Sequence, residues 1–584
     1  MRRAFPCRFL SLTALAAAAL LALPGSAWAS TDPVELPASW AQVSADGPWV
    51  VFVPAGTPEE VGWVSEHIDV WGLNPDEREL IALIDRDGLE FLGRQGIPVT
   101  LDETRTRELE LAGRPLAKQG GGIPGFPCYR TVEETFQSAQ AIATNNPGLA
   151  TWTDVGDTWE KDAGVSAGYD IFVLKLTQSA VPGPKPVFFA STAIHAREYA
   201  TAELGTRFAE FLVAGYGTDP NITWLLDEHE VHLMLQANPD GRKEAEDGLF
   251  WRKNKNNDYC SNTDSRGADL NRNFEYEWNC CNGSSGQQCS DVFRGPSAAS
   301  EPEIQALQAY VRTIFPDQRG PDPNDPAPDD ATGVAIDIHS FSELVLWPWG
   351  FTSSSPANGT AFTTLGRKVA FFNDYFPLEI SDFTIADGSS ADFFYGDLGV
   401  AGLAFEIGTS FFQSCTSFEA DVLQQNIDAL LFAAKVARTP YLTPAGPEAM
   451  DTAVLPSTAP EGALVNVSAT LDDTRFSNRN GTEPSQNIAS AEAFIGSPWA
   501  PGAVGIPMAA ADGTFDSAVE RVEATLSTTG LSPGRHLVFV QGTDTAGSTG
   551  VVAAAFLEIA QFPLIFEDGF ESGDTSAWTS SLGF

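Results

Sequence analysis

The chain has 584 residues, 43% of them hydrophobic and 11% aromatic, which is enough for several packed units rather than one core. A formal net charge of −43 repels nucleic acid and anionic lipid, so neither is expected as a partner. Beyond the N-terminus no stretch holds about 18 uninterrupted apolar residues, so no membrane anchor is expected in the mature protein.

Residues 1–29 carry Arg2, Arg3 and Arg8, then an apolar run, then Ala27-Trp28-Ala29. That pattern predicts a secretory signal peptide and an extracellular protein. Cleavage after Ala29 takes the net charge from −43 to about −46 and removes Cys7. Cys128, Cys260, Cys280, Cys281, Cys289 and Cys415 remain, an even number that reads as up to three disulfides. Cys260 is expected to pair locally with Cys280 or Cys281, and Cys128 with Cys415. The cluster from Cys260 to Cys289 lacks the paired C-x-x-C spacing of a zinc knot.

Residues 30–118 read strand (WVVFVP), helix (PEEVGWVSEH), strand (IDVWGL), strand (ELIALID), helix (DGLEFLGRQG) and strand (IPVTLD). This predicts a small α+β unit whose sheet is covered by two helices. It runs into "LAGRPLAKQGGGIPGF", with a linker expected over 119–127. A folded unit between a signal and a cleavable linker reads as a propeptide, which implies an activating protease, with a permanent accessory domain as the alternative.

From 128 to 445 apolar strand patterns (VFFAST, EVHLMLQ, GVAIDIH, LVLWPW, AGLAFEIG) alternate with helical ones, including Tyr199–Val213 and Pro302–Ile314. Such alternation predicts one α/β domain with a mixed sheet between helices, and ligand sites beyond the carboxyl ends of strands. The acidic, proline-rich segment 316–330 reads as a solvated insertion. From 446 to 560 short Thr/Ser/Val/Ala-rich strands predict an immunoglobulin-like β-sandwich. Residues 561–584 form an acidic tail with aromatics, read either as a sorting or docking signal or as a disordered end.

The chemistry gathers in the α/β domain. His195 and Glu198 lie i,i+3 after the strand VFFAST, a spacing that turns both side chains to one side. A catalytic zinc takes three His or carboxylate ligands and keeps one position for water, so a third ligand must come from elsewhere. His339 ends the apolar strand GVAIDIH and can supply it. By spacing alone, a metal pair and a polar strand end both stay open. Glu406, in the apolar strand LAFEIG, is placed where burial would raise its pKa into the range of a proton shuttle. His229 and His232, in "DEHEVHLML", read as core or surface residues, since H-E-x-x-H is absent.

In order, H-x-x-E, N-P-D-G at 238–241, W-R-K-N at 251–254, D-L-N-R-N at 269–273, H-S at 339–340 and F-E-I-G-T-S at 405–410 resemble the zinc metallocarboxypeptidases, in particular the carboxypeptidase A and T branch. The resemblance covers about residues 129–439. It implies an eight-stranded mixed sheet in an α/β/α sandwich and one Zn2+. Peptide or protein C-termini are the implied substrates, cut by a secreted monomer. Residue by residue, it implies His195, Glu198 and His339 as zinc ligands and Glu406 as general base and acid. Asn271 and Arg272 match the pair that holds the terminal carboxylate, and Arg197 a contact further from the cut end. Asp269 matches the carboxylate orienting the first zinc histidine. Two departures stand out. Lys255 occupies the position read as the arginine that polarises the scissile carbonyl, with Arg252 as the group that compensates. Thr384 replaces a mobile tyrosine, for which Tyr395 is a candidate substitute. Ala391 falls at the base of the pocket for the terminal side chain and implies apolar or aromatic termini. The alternative expectations are a peptidase for cell-wall or modified peptides, and an inactive zinc-binding protein acting through its β-sandwich.

Overall fold

Alternation of short apolar strands with amphipathic helices is realised in a computed structural model that describes residues 40, 42–44, 47–54, 57–65, 67–111, 121–262 and 265–560. The expected signal peptide, the first two residues of the expected linker and the acidic tail lie outside the described residues.

In the N-terminal unit the strands β1 (Trp49–Pro54), β2 (Asp69–Asn74), β3 (Glu79–Ile84) and β4 (Thr100–Leu101) form an antiparallel sheet in the order β2-β3-β1-β4. Three helices accompany it: Pro58–Ser65, Arg86–Arg94 and Glu103–Leu111. The third escaped the sequence reading because its charged sequence, ETRTRELEL, carries little apolar periodicity. Of residues 121–127, expected as linker, three are exposed and one is buried. Ile123 is buried and Gly122 adopts φ +73°, with no room for a side chain against Pro127.

The central domain carries β5 (Ala150–Asp157), β6 (Asp170–Leu176), β7 (Val187–Thr192), β8 (Glu230–Met234), β9 (Val334–His339), β10 (Leu344–Trp347), β11 (Phe376–Glu379) and β12 (Ala401–Glu406). Their order, β11-β10-β12-β9-β7-β8-β6-β5, is parallel through β12-β9-β7-β8 and antiparallel where β10 meets β12 and where β8 meets β6 and β6 meets β5. Every residue of β7 and β9 is buried, as expected for parallel strands covered on both faces. Each fully buried Phe or Ile there contributes roughly 2 kcal/mol. The chain leaves β7 through the helix Tyr199–Gly215 to β8 on one side, and later returns to β9 on the other. That makes the β7/β9 boundary a topological switch point, with a crevice at its carboxyl end.

The C-terminal unit spans Glu448–Ile559 as an eight-stranded, barrel-like β-sandwich. It packs Trp499 and Phe539 against Trp224 of the central domain, and His229 is fully buried beside the same tryptophans. His232 is held by Tyr310 and Glu230. Arg479 of the sandwich donates to Asp76 of the N-terminal unit at 2.6 Å, so all three units touch.

The disulfides are Cys128–Cys415, Cys260–Cys289 and the adjacent pair Cys280–Cys281. The first matches expectation. The second corrects it, because Cys280 and Cys281 close on each other and leave Cys289 to Cys260.

Candidate metal centre and substrate cleft

Three strand ends build the floor of the cleft. After β7 the chain turns so that His195 and Glu198 face inward, and Glu198 is the residue just before the helix Tyr199–Gly215, with its side chain left free of any capping bond. The buried Arg242 guanidinium fixes this turn by donating to the carbonyls of Ala196, Glu198 and Tyr199. His339 is the last residue of β9, and Glu406 is its register partner at the end of β12.

His195, Glu198 and His339 are buried, and their ligand atoms lie within 4.8 Å of one another. The Nδ1 atoms of both imidazoles turn toward the Glu198 carboxylate, at 2.8 and 3.4 Å. Each Nε2 meets a buried aspartate: Asp269 at 3.1 Å from His195, and Asp337 at 3.0 Å from His339. Outer carboxylates of this kind fix the tautomer and ring plane of histidine ligands. The donor set, two imidazoles and one carboxylate with oriented rings, fits zinc.

Asp337 was missed by sequence reasoning. Its signal was legible: it sits two residues before His339 on one strand, and period-two alternation puts both side chains on the same face. Ser191 and Ser390 donate their hydroxyls to it at 2.8 and 2.6 Å. Burial opposes its ionisation, yet His339 and these hydroxyls hold the carboxyl below the usual range.

Arg252 lies in the cleft and donates to Asp269 Oδ2 through Nε at 3.1 Å and Nη2 at 2.8 Å. Against burial, Arg252 and His195 keep Asp269 ionised well below the usual carboxylate range. Lys255 is elsewhere: it pairs with Glu160 at 3.0 Å and Glu244 at 2.9 Å and does not line the cleft. Of the two cations expected to polarise a carbonyl, the structure brings only Arg252 to the metal centre. Lys253, also buried, instead donates to the carbonyls of Gln288 and Ser290.

Asn271 lies beside His339, with Nδ2 3.1 Å from Nε2, while its Oδ1 accepts from the Ser390 amide. Arg272 donates Nε to the Gly283 carbonyl at 2.9 Å and Nη1 to the Asn271 carbonyl at 2.8 Å. Arg197 is 1% exposed, its guanidinium over Phe411 and Trp71 and 3.6 Å from Asp291. Burial lifts the Glu406 carboxyl to about 8, with His339 opposing the rise.

A cavity of about 870 Å³ is lined by His195, Glu198, His339, Arg252, Asn271, Arg272 and Glu406, whereas Arg197 lies behind its wall. Ala391 lines it together with Leu346, Ile380, Phe383 and Ala404, an apolar recess without a charge on those five side chains. The neighbouring Asp392 points away, accepting from the amides of Gly350 and Phe351. Thr384 lines the same cavity, whereas Tyr395 is fully buried, with its hydroxyl on Asn358 at 2.7 Å. Tyr395 is therefore no substitute for a capping tyrosine. The N-terminal unit forms the roof. Asp69 and Trp71 line the cavity, the Trp71 indole donates to Asp69 at 2.6 Å, and Trp71 stacks on Phe250.

A family model described as "Zinc carboxypeptidase" matches residues 135–424. A zinc carboxypeptidase of Saccharothrix mutabilis subsp. capreolus is 30% identical over 298 residues, covering 48% of this chain and 62% of that protein. Carboxypeptidase A2 of Rattus norvegicus is 27% identical over 291 residues, covering 50% and 62%. The chain thus spans 62% of the length of each of these relatives. The crystal structure of carboxypeptidase A from Helicoverpa armigera superposes with a TM-score of 0.54 at 22% identity, covering 67% of this chain and 98% of that one, and so shares its fold. Residues 135–424, the segment that holds both candidate histidine ligands, Glu198, Arg252 and Glu406, match the zinc carboxypeptidase family.

Proposed function

We propose that the central domain is a zinc-dependent carboxypeptidase that hydrolyses the last peptide bond of peptides and proteins outside the cell. The observation that carries this reading is the convergence of His195, Glu198 and His339 beside Glu406 and two cleft arginines. Zinc, held by the first three, would supply Lewis acidity and a water of lowered pKa.

The chain's own residues do the rest. Arg272 and Asn271 hold the terminal carboxylate, a bidentate task suited to a planar guanidinium. The apolar recess at Ala391 takes the last side chain and favours aromatic or aliphatic termini. Arg252 donates to the scissile carbonyl oxygen as negative charge develops there. Glu406 takes the proton of the attacking water and returns it to the leaving amine, a cycle helped by a carboxyl that titrates near neutrality. Arg197 contacts the substrate further from its end. Asp269 and Asp337 keep the two imidazoles turned inward.

The N-terminal unit is a propeptide in this reading, because it roofs the cleft where a peptide would enter. Cleavage within 112–120, which contains Arg114 and Lys118, would release it. The test is metal analysis plus hydrolysis of a blocked dipeptide by the full chain nicked in that segment. One equivalent of zinc and release of C-terminal Phe or Leu ahead of Arg are expected. Zinc without hydrolysis would point instead to a binding protein, and preference for Arg would overturn the assignment at Ala391.

A further inference from the structure

Asp387 is 1% exposed and does not line the cleft, yet three donors of one short turn converge on its carboxylate. The amides of Cys281 and Gly283 each donate to Oδ2 at 3.2 Å, and the Ser284 hydroxyl donates to Oδ1. This turn follows the adjacent disulfide Cys280–Cys281. It is seated tightly: a Cβ on Gly283 would lie 2.5 Å from the Asp387 amide nitrogen. The product of the clasp is the position of the Gly283 carbonyl, which accepts Arg272 Nε at 2.9 Å.

We infer that Asp387 is a positioning residue for the terminal-carboxylate clamp: by holding residues 281–284 it presents the Gly283 carbonyl to Arg272 and fixes the plane of its guanidinium. This rests on the carboxypeptidase reading of the cleft. Two of the five guanidinium donors are occupied, by Gly283 and Asn271, and the remaining three are left for a ligand. The anchor is a neutral carbonyl, so it orients the guanidinium without neutralising it. The carboxylate of Asp387 is bonded to amides and a hydroxyl one layer further out, and it acts on the guanidinium only through space, as Asp269 and Asp392 also do. A freed Arg272 would regain rotamer entropy and meet a carboxylate with fewer aligned bonds. Carboxylate binding is the same in ground and transition states, so its loss falls on KM rather than kcat.

The test uses the full chain nicked within 112–120, with a blocked dipeptide ending in Phe. Asp387→Asn is expected to raise KM roughly tenfold while kcat stays within about twofold. Ser284→Ala, which removes one donor of three, should raise KM roughly threefold. Inhibition by free L-phenylalanine should weaken in parallel, and zinc content should not change. An unchanged KM in both variants overturns the inference, as does a joint fall of kcat and zinc content at constant KM. If Asp387→Asn does not fold, Ser284→Ala decides. Absence of turnover in the wild-type nicked chain counts against the carboxypeptidase reading. L-phenylalanine binding by calorimetry then still reads the role of Asp387: equal affinity in wild type and Ser284→Ala overturns it.

Discussion

The floor and the roof of the cleft are built on different principles. On the floor four polar side chains are held by buried partners: His195 by Asp269, His339 by Asp337, Arg252 by Asp269 and Arg272 by Gly283. On the roof the contact is one side of a separate unit, in which Trp71 lies against Phe250 and Phe411 and Asp69 faces Arg197. The floor fixes geometry to tenths of an ångström for chemistry. The roof is joined to the floor mainly by packing: its apolar side chains share a cluster with Leu346, Ile380, Phe383 and Ala391, and the Leu73 amide donates to Ser342 at 2.9 Å.

That contrast breaks most visibly at Glu406. Glu406→Gln should lower kcat roughly 10³-fold while zinc content and attachment of the N-terminal unit stay as they were. Substantial residual turnover would remove Glu406 from its role. Next in size, Arg252→Ala should cost roughly 10²-fold in kcat, as expected for loss of a donor to developing charge. Stopped-flow turnover of a chromogenic dipeptide would measure both.

A smaller effect belongs to the roof. Burial, reinforced by Asp291, lifts the Asp69 carboxyl to about 6 when the unit is docked, against 3.8 for the free group. The docked state therefore binds a proton more tightly than the released one. Docking is strongest below about pH 4 and weakens as pH rises through 6. The nicked N-terminal unit should thus dissociate more readily at pH 8 than at pH 5, and Asp69→Asn should flatten that profile. Size-exclusion chromatography across pH would read it, and tighter docking at alkaline pH would overturn the sign. The smallest effect is at Lys255. Lys255→Ala loses two partly exposed ion pairs and should change kcat/KM by less than about twofold. A large loss would bring Lys255 back to the chemistry.

Much of this was legible in the sequence. Apolar runs that end in His195, His339 and Glu406 announced strand ends at a cleft, and the helix Pro302–Ile314 has the bounds its pattern predicts. What escaped depended on direction rather than order. In W-R-K-N-K no periodicity tells which cation turns inward, and the structure places Arg252 rather than Lys255 in the cleft. Asp337 hid among apolar neighbours of β9. Asp387 acts through a loop joined only in space, and an adjacent cysteine pair is seldom the first pairing considered.

The bridge between Cys128 and Cys415 has one further consequence, a mechanical one. The 287-residue span it closes contains His195, Glu198, Arg252, Arg272, His339 and Glu406. A force applied between the N-terminal unit and the sandwich enters at Cys128, crosses the sulfur bridge and leaves from Cys415. Along the covalent chain the load bypasses the span that holds the candidate metal site, and only the packing contacts of the N-terminal unit reach that site directly.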